Sequence, residues 1–143
     1  DETSVSINLG ADVSIPQGYI NETSQRLRTY KRISSAETEE DLRRIYTEIQ
    51  DRYGRIPESV ENLFEYARLR KLAESARVVS IDKIKNGFAV KLSENAKVSP
   101  EKLTRFLAEN ETSVFSPNGI LRVHGSAENL IEAARKVLTQ IMN

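Results

Sequence analysis

The spacing of apolar residues changes near residue 78, and this change constrains the fold more than any other feature of the chain. Three earlier segments, at about 22–35, 39–53 and 57–77, repeat apolar residues with the 3.6-residue period of helices. The later residues alternate with a period of two around Asn86-Gly87 and Pro117-Asn118-Gly119, two hairpin signals. We therefore predict an α+β fold, in which a three-helix segment precedes β-β-α-β-β-α and helices pack on a mainly antiparallel four-stranded sheet.

Local signals mark where these elements begin and end. Thr38, Ser99 and Ser126 have the side chains that cap helix starts, and Gly54 is suited to closing the helix that Thr38 opens. Residues 3–15 alternate as extended structure until Pro16, so we expect this segment to pair at a sheet edge. We predict an N-terminal extended arm or linker over residues 1–20 and one domain over residues 21–143.

Composition limits the classes of function. The chain has no cysteine and one histidine, which argues against disulfides and zinc sites, and its 21 basic and 21 acidic side chains cancel. Bulk positive charge therefore does not draw it to nucleic acid. No apolar run reaches the length of a membrane span and the start lacks the order of a signal peptide, so we expect a cytoplasmic location without membrane contact. Because the chain opens without Met, we expect a fragment of a larger protein.

Catalytic motifs are missing from the sequence. There is no phosphate loop, dinucleotide turn, nucleophile elbow or zinc-protease motif. His124 stands alone at a predicted strand end, where a structural role is the simpler interpretation. We predict that this segment is not an enzyme and that it holds no cofactor or metal.

Charged residues concentrate in E-I-Q-D-R-Y-G-R-I-P, residues 48–57. This segment joins the second predicted helix (α2, about 39–53) to the third (α3, about 57–77), and we call it the α2–α3 corner. The helical wheel puts Glu48 and Asp51 opposite the apolar face and Arg52 on its flank. Glu48 and Arg52 have the spacing of a local ion pair, worth about 0.2–0.5 kcal/mol. Asp51 lies in the last helical turn, where the dipole disfavours a carboxylate. A cation supplied either by Arg55 or by a partner would stabilise the carboxylate of Asp51.

Two basic stripes offer an alternative. Arg28, Lys31 and Arg32 share one side of the first helix, and a second stripe near the end of the third helix comprises Arg68, Arg70, Lys71 and Arg77. Either stripe could contact phosphates, which would make the chain a nucleic-acid or protein contact module. A solvated helix face is the simpler interpretation.

Several ordered motifs resemble one family. The order I-P-Q-G-Y-I (15–20), R-L-R-T-Y-K-R-I (26–33), the corner itself and A-R-L-R (67–70) resembles the C-terminal (TRCF) domain of bacterial transcription-repair coupling factor, Mfd. The resemblance covers about residues 3–77. One departure is Tyr53, which stands where Phe is common.

This resemblance implies a regulatory domain of an ATP-dependent DNA translocase that acts in transcription-coupled DNA repair. ATP and Mg would bind the parent's motor domains, and RNA polymerase and DNA would be the parent's partners. The domain would pack on the UvrB-like module of the same polypeptide and mask the surface that binds UvrA, an autoinhibitory role. Glu48, Asp51 and Arg52 match the polar face assigned to this intramolecular interface. The candidates for secondary contact are Arg44, Arg55, Arg28, Lys31 and Arg32.

Overall fold

The computed structural model describes residues 4–143 and divides into two compact units. The helical unit comprises Asp12–Arg68, and the sheet unit comprises the described residues up to Ala11 together with Leu69–Asn143. The elements, in order, are β1 (Ser6–Asn8), α1 (Thr23–Ser35), α2 (Glu39–Tyr53), α3 (Glu58–Ser75), β2 (Val78–Ile84), β3 (Gly87–Leu92), α4 (Pro100–Glu109), β4 (Val114–Phe115), β5 (Ile120–His124) and α5 (Leu130–Ile141). This is the α+β order that the sequence predicted.

Helix α2, the middle helix of the helical unit, is amphipathic and has well-defined ends. Thr38 caps α2, because its Oγ1 accepts a hydrogen bond from the Asp41 backbone N–H at 3.0 Å. Gly54 ends α2 with φ 95°, which a residue with a side chain rarely adopts. The core beneath these helices holds Ile15, Ile20, Ile33, Leu42, Ile45, Ile49, Ile56, Val60, Phe64 and Ala67.

Helix α1 departs from its predicted apolar face. On the helical wheel Leu27 shares one apolar arc with Tyr30 and Ile33, which predicts a core position. In the structure Leu27 is 62% exposed, whereas Thr29 is buried. Thr29 tolerates burial because its hydroxyl donates to the Gln25 carbonyl at 2.9 Å. The prediction for Leu27 was wrong because wheel position alone cannot tell which edge of an apolar arc the neighbouring segments cover.

The sheet unit contains a five-stranded sheet of order β1-β2-β3-β5-β4. The β2–β3 and β4–β5 hairpins are confirmed, and β3 pairs antiparallel with β5. The predicted count of four was one too few, because β1 joins the edge in parallel with β2, with Ile7 opposite Ile81. The edge pairing expected for the N-terminal segment is therefore confirmed over Ser6–Asn8, while Thr3 lies outside the described residues.

Helices α4 and α5 pack on each other, and α5 packs on β3. Ser99 caps α4 as predicted, with its Oγ accepting from the Lys102 N–H at 3.2 Å. The predicted cap of α5 was wrong: Asn129, not Ser126, caps this helix, and its side-chain oxygen accepts from the N–H groups of Ile131 and Glu132. Both residue types are good caps, so the sequence did not decide between them.

The predicted domain division and location stay predictions. The division into an arm over residues 1–20 and a domain over 21–143 is one, and the cytoplasmic location is the other. Among residues 4–143, no helix has both the length and the apolar character that crossing a membrane requires.

Candidate intramolecular interface at the end of helix α2

The α2–α3 corner turns within a few residues and leaves its charged side chains exposed. The Gly54 N–H donates to the Gln50 carbonyl at 2.9 Å, which closes α2, and the Pro57 carbonyl accepts from the Val60 N–H at 3.0 Å, which opens α3. Ile56, between them, is buried in the core of the helical unit. The corner is therefore anchored from beneath by an apolar residue while Glu48, Asp51, Arg52 and Arg55 lie at the surface.

Tyr19 holds the corner in place from the segment before α1. Its hydroxyl donates to the Gly54 carbonyl at 2.7 Å, and the Ile49 carbonyl lies 3.4 Å from the same oxygen. Its ring packs at a tilt against Tyr53, with centroids 5.8 Å apart. This positioning role of Tyr19 was not predicted, although P-Q-G-Y, in which an aromatic side chain closes a turn, was the signal available in the sequence.

Glu48 pairs across helices rather than along its own. Its Oε1 lies 2.7 Å from Nη2 of Arg32 on α1. The local Glu48–Arg52 pair considered from the sequence does not form, because the guanidinium of Arg52 lies over the Tyr53 ring, 5.2 Å from its centroid. The partner of Glu48 is therefore a residue of another helix and not the local cation that the sequence suggested.

Asp51 and Arg55 remain without a side-chain partner among residues 4–143. Both are exposed, and neither forms a side-chain hydrogen bond or ion pair with the described part of the chain. Arg55 therefore does not supply the cation that Asp51 was predicted to need. At the end of α2, the backbone carbonyls oppose the Asp51 carboxylate, so a cation from outside would stabilise it.

The first basic stripe, Arg28, Lys31 and Arg32 on α1, touches the corner through one residue. Arg32 pairs with Glu48 at 2.7 Å. Arg28 and Lys31 are exposed, and neither forms a side-chain hydrogen bond or ion pair within residues 4–143. The structure therefore brings Arg32, but not Arg28 or Lys31, together with a corner residue.

Arg44 is engaged at the opposite end of α2. Its Nη1 lies 3.0 Å from Asp41 Oδ1, and its Nη2 lies 3.8 Å from Glu40 Oε2. The hydrogen bond from Arg44, helped by that from Thr38, lowers the pKa of the Asp41 carboxyl. The structure therefore does not bring Arg44 together with the other candidate residues.

The second basic stripe is largely occupied by internal partners. Arg68 contacts Glu39 at 2.9 Å and Glu65 at 2.6 Å, and the hydrogen bond to Glu39 is the main reason that the pKa of Arg68 is raised. Within the sheet unit, Arg70 donates to the Val5 carbonyl at 2.6 Å. Lys71 is also engaged in an interaction. These partners weaken the nucleic-acid interpretation of this stripe.

His124 has the surroundings of a structural residue. Its Nδ1 lies 2.9 Å from the Thr112 carbonyl oxygen, which fits a hydrogen bond donated to the backbone. Thr112 in turn donates its hydroxyl to the His124 carbonyl at 3.2 Å. Within residues 4–143, no group of three or more His, Cys, Asp or Glu side chains is placed to hold a metal ion.

Comparison with known proteins gives a consistent result. Residues 9–103 match the family model described as the TRCF domain. Transcription-repair-coupling factor of Haemophilus influenzae is 34% identical over 113 residues, 79% of this chain and 10% of that protein. The Bacillus subtilis protein of the same name is 34% identical over 104 residues, 71% of this chain and 9% of that protein. The chain thus spans about a tenth of the length of these relatives.

A solved structure shares the fold. It is the crystal structure of the C-terminal domain of transcription-repair coupling factor, which aligns with a TM-score of 0.81 at 16% sequence identity. The alignment covers 94% of this chain and 88% of that chain. The fold of the chain therefore extends beyond the region that the family model matches.

Proposed function

The chain belongs to the TRCF domain family, and from this premise we propose that it is a non-catalytic, autoinhibitory domain of a transcription-repair coupling factor. It packs on a UvrB-like module of the same polypeptide and masks the surface that binds UvrA. The proposed contact residues are Glu48, Asp51 and Arg52, with Arg55 and Arg32 beside them. No cofactor is required for this role.

One observation supports this role above the others, and it is the state of Asp51. Its carboxylate is exposed at the helix end that disfavours it and has no partner within residues 4–143. Arg55 is exposed and also without a side-chain partner in the described chain, although it follows Asp51 by only four residues. A second module that offers a cation to Asp51 and a carboxylate to Arg55 would pair both residues at once.

Exposed ion pairs also suit a contact that must open. Each contributes about 0–1 kcal/mol, so a few of them hold two modules together without making release slow. Interfaces between domains of one chain are generally small and polar, and domain motion is expected of them. A masking role needs this balance, because the UvrA surface has to become accessible when the protein is engaged.

For the parent protein, we propose the activity that its family resemblance implies. It is an ATP-dependent DNA translocase of bacterial cytoplasm, whose motor domains bind ATP and Mg and which acts on RNA polymerase and DNA. All of these contacts lie in parts of the polypeptide other than this chain, and the present domain regulates them by its position.

The test reverses the charges of the corner in the full-length parent. Asp51→Arg combined with Arg52→Glu keeps the net charge and opposes each partner group with a like charge. We expect UvrA to bind about tenfold more tightly, in the usual range of coupling between sites of about 1–3 kcal/mol. UvrA affinity is measured by titration, and circular dichroism of the 143-residue chain checks folding.

A matched control reverses an ion pair elsewhere. Glu132 and Lys136 lie one turn apart on α5, with 3.9 Å between the charged atoms. Glu132→Lys combined with Lys136→Glu also leaves the net charge unchanged, and UvrA affinity should stay at the wild-type value. Equal UvrA affinities for the corner variant and the wild type would rule out the masking interface proposed here.

A further inference from the structure

The sheet unit carries two Asn-Gly pairs, both in turns. Asn86-Gly87 joins β2 to β3, and Asn118-Gly119 joins β4 to β5. Asparagine is a chemically labile residue, and a following glycine favours its deamidation because no Cβ keeps the glycine nitrogen away from the asparagine side chain. Both asparagines are exposed, and neither forms a side-chain hydrogen bond within residues 4–143. The two pairs therefore share their chemistry and differ in how the backbone around them is held.

Deamidation is a substitution at the asparagine side chain. The glycine nitrogen, after losing its proton to solvent, attacks the carbonyl carbon Cγ and forms a new C–N bond. The Cγ–Nδ2 bond then breaks, ammonia leaves, and a cyclic succinimide remains in the backbone. Solvent water opens this ring at either carbonyl carbon, which gives aspartate or isoaspartate. The reaction involves no oxidation or reduction, and water is its co-reactant.

The Asn86-Gly87 pair is held on both sides by the sheet. Gly87 is buried in β3, which pairs with β2 on one side and with β5 on the other. A Cβ added to Gly87 would overlap the carbonyl oxygen of Val123, so the neighbouring backbone leaves no free space there. The Asn86 carbonyl accepts a hydrogen bond from the Gly125 N–H at 2.8 Å. Attack at Asn86 therefore requires the turn to separate from both neighbouring strands.

The Asn118-Gly119 pair lies at the edge of the sheet, in the loop that follows the two-residue strand β4. The nitrogen that would attack belongs to Gly119, and its N–H donates to the Ser116 carbonyl at 3.0 Å. This hydrogen bond lies within the turn, so breaking it separates no pair of strands. The Gly119 carbonyl accepts from the Leu92 N–H at 2.8 Å, a contact that can persist while the peptide before Gly119 rotates.

We propose that Asn118 is a deamidation site of this chain and that the sheet protects Asn86. Opening an edge turn requires little free energy, whereas opening central strands requires a free energy that approaches that of global unfolding. A tenfold difference in rate needs a difference of only about 1.4 kcal/mol between the two opening steps. We therefore expect Asn118 to deamidate at least about tenfold faster than Asn86 in the folded chain.

Deamidation changes the charge of the surface around Asn118. This residue lines an open groove together with Leu103, Phe115 and Pro117. Glu94 is the only carboxylate among the described residues that line the groove. Both reaction products replace the neutral amide of Asn118 by a second carboxylate, so the groove becomes more acidic.

The isoaspartate product also changes the main chain. It brings the side-chain methylene of residue 118 into the backbone, which lengthens the loop between β4 and β5. Directly before this loop, the Ser116 N–H donates to the Ile120 carbonyl at 2.9 Å, a bond that depends on the length of the loop. Strand β4 has two residues, both exposed, so little packing holds it in place. We expect β4 to lose its pairing with β5 in the isoaspartyl form.

The test incubates the 143-residue chain at mildly alkaline pH, both folded and in an unfolding concentration of guanidinium chloride. Peptide mapping by mass spectrometry follows the conversion of amide to acid at each asparagine, and chromatography separates the aspartyl from the isoaspartyl peptides. In the folded chain, Asn118 should convert at least about tenfold faster than Asn86. In guanidinium chloride the two rates should converge, because both asparagines precede glycine.

Asn118→Gln is the matched control. Glutamine keeps the amide but places it one methylene further from the backbone, which disfavours ring closure. The fast conversion should disappear in this variant, while the rate at Asn86 stays at its wild-type value. Circular dichroism checks that the variant and the wild type are equally folded.

Three results would overturn the proposal. The first is an equal rate at the two asparagines of the folded chain, or a faster rate at Asn86. The second is a difference that persists in guanidinium chloride, because the local sequence and not the fold would then set the rates. The third is a folded chain in which neither asparagine converts while both convert after unfolding, because the fold would then protect Asn118 as well.

Hydrogen exchange tests the consequence for β4. In the isoaspartyl form, separated from the unmodified chain by chromatography, the Ser116 amide should lose its protection from exchange. The amide of Val90, in the centre of the sheet, should keep its protection. Unchanged protection at Ser116 would refute the expected loss of β4 pairing.

Discussion

Replacing Arg68 by methionine should destabilise the helical unit, because Arg68 connects α3 to the start of α2. Its Nε and Nη2 lie 2.9 Å from the two oxygens of Glu39, and its Nη1 lies 2.6 Å from Glu65. Methionine keeps most of the apolar stem of the side chain while removing the guanidinium. The change leaves the carboxylates of Glu39 and Glu65 without the cation that both of them share.

The expected magnitude follows from burial. Hydrogen bonds to charged groups contribute about 1.5–3 kcal/mol, whereas exposed ion pairs contribute about 0–1 kcal/mol. The Arg68 side chain is 19% exposed and that of Glu39 is 47% exposed, so the contact lies between these cases. We expect Arg68→Met to lower the free energy of unfolding by about 1–2 kcal/mol.

Intrinsic tyrosine fluorescence during urea unfolding is the suitable assay. The chain has no tryptophan, and its five tyrosines, at positions 19, 30, 46, 53 and 66, all lie in the helical unit, so the signal reports on that unit. The midpoint should fall at unchanged slope, as expected for a change in stability alone.

Arg43→Met provides the matched control for this prediction. Arg43 approaches the same Glu39, at 3.8 Å, but its side chain is 68% exposed, so the loss should stay below about 0.5 kcal/mol. Equal losses in Arg43→Met and Arg68→Met would refute the reasoning, because burial would then not set the strength of these contacts.

Two further predictions concern α2. Thr38→Ala should cost about 1 kcal/mol of stability in the same urea assay because it removes the helix cap, and Thr38→Ser, which keeps the hydroxyl, should cost less. The hydrogen bond that Tyr46 donates to Glu61, at 2.6 Å, raises the pKa of Tyr46 to about 12. In an absorbance titration near 295 nm, its phenol should therefore ionise at a higher pH than an ordinary tyrosine. Glu61→Gln should lower the pKa of Tyr46. Because the pKa of Tyr46 is raised in the folded state, the contribution of its hydrogen bond to stability is complete below about pH 10 and is lost as the pH rises toward about 12. A wild-type titration in which no tyrosine ionises above the usual range would contradict this prediction.

The sequence predicted what local chemistry determines. Thr38, Ser99, Gly54 and the Asn86-Gly87 turn act through hydrogen bonds or backbone angles within a few residues, and each ends or begins an element as predicted. The resemblance to the TRCF domain, built on ordered local motifs, is likewise confirmed by the family match. Such local signals predict the structure well because contacts with distant residues change them little.

What the sequence missed depends on distant partners. In the parallel pairing of β1 with β2, Ile7 lies opposite Ile81, and no residue pattern in either strand predicts this partner. Glu48 had a suitable cation in Arg52 on its own helix, yet Arg32 on α1 pairs with it at 2.7 Å. The roles of Glu48, Asp51 and Arg52 in an interface stay predictions, because they concern a surface that only a second module would complete.

The hydrogen bond from Tyr19 to the Gly54 carbonyl has a consequence for the kinetics of the masking proposed above. A corner tied from a separate segment keeps its shape whether or not a partner is bound, so docking costs little conformational entropy. Under this proposal, release would not require the corner to deform. In the proposed masked state, the corner would keep its shape while the modules separate, and the strength of the surface contacts would set the lifetime of that state. Weakening the surface contacts would shorten the lifetime of the proposed masked state and leave the rate of docking nearly unchanged. The docking rate would change only where a substitution alters long-range charge attraction.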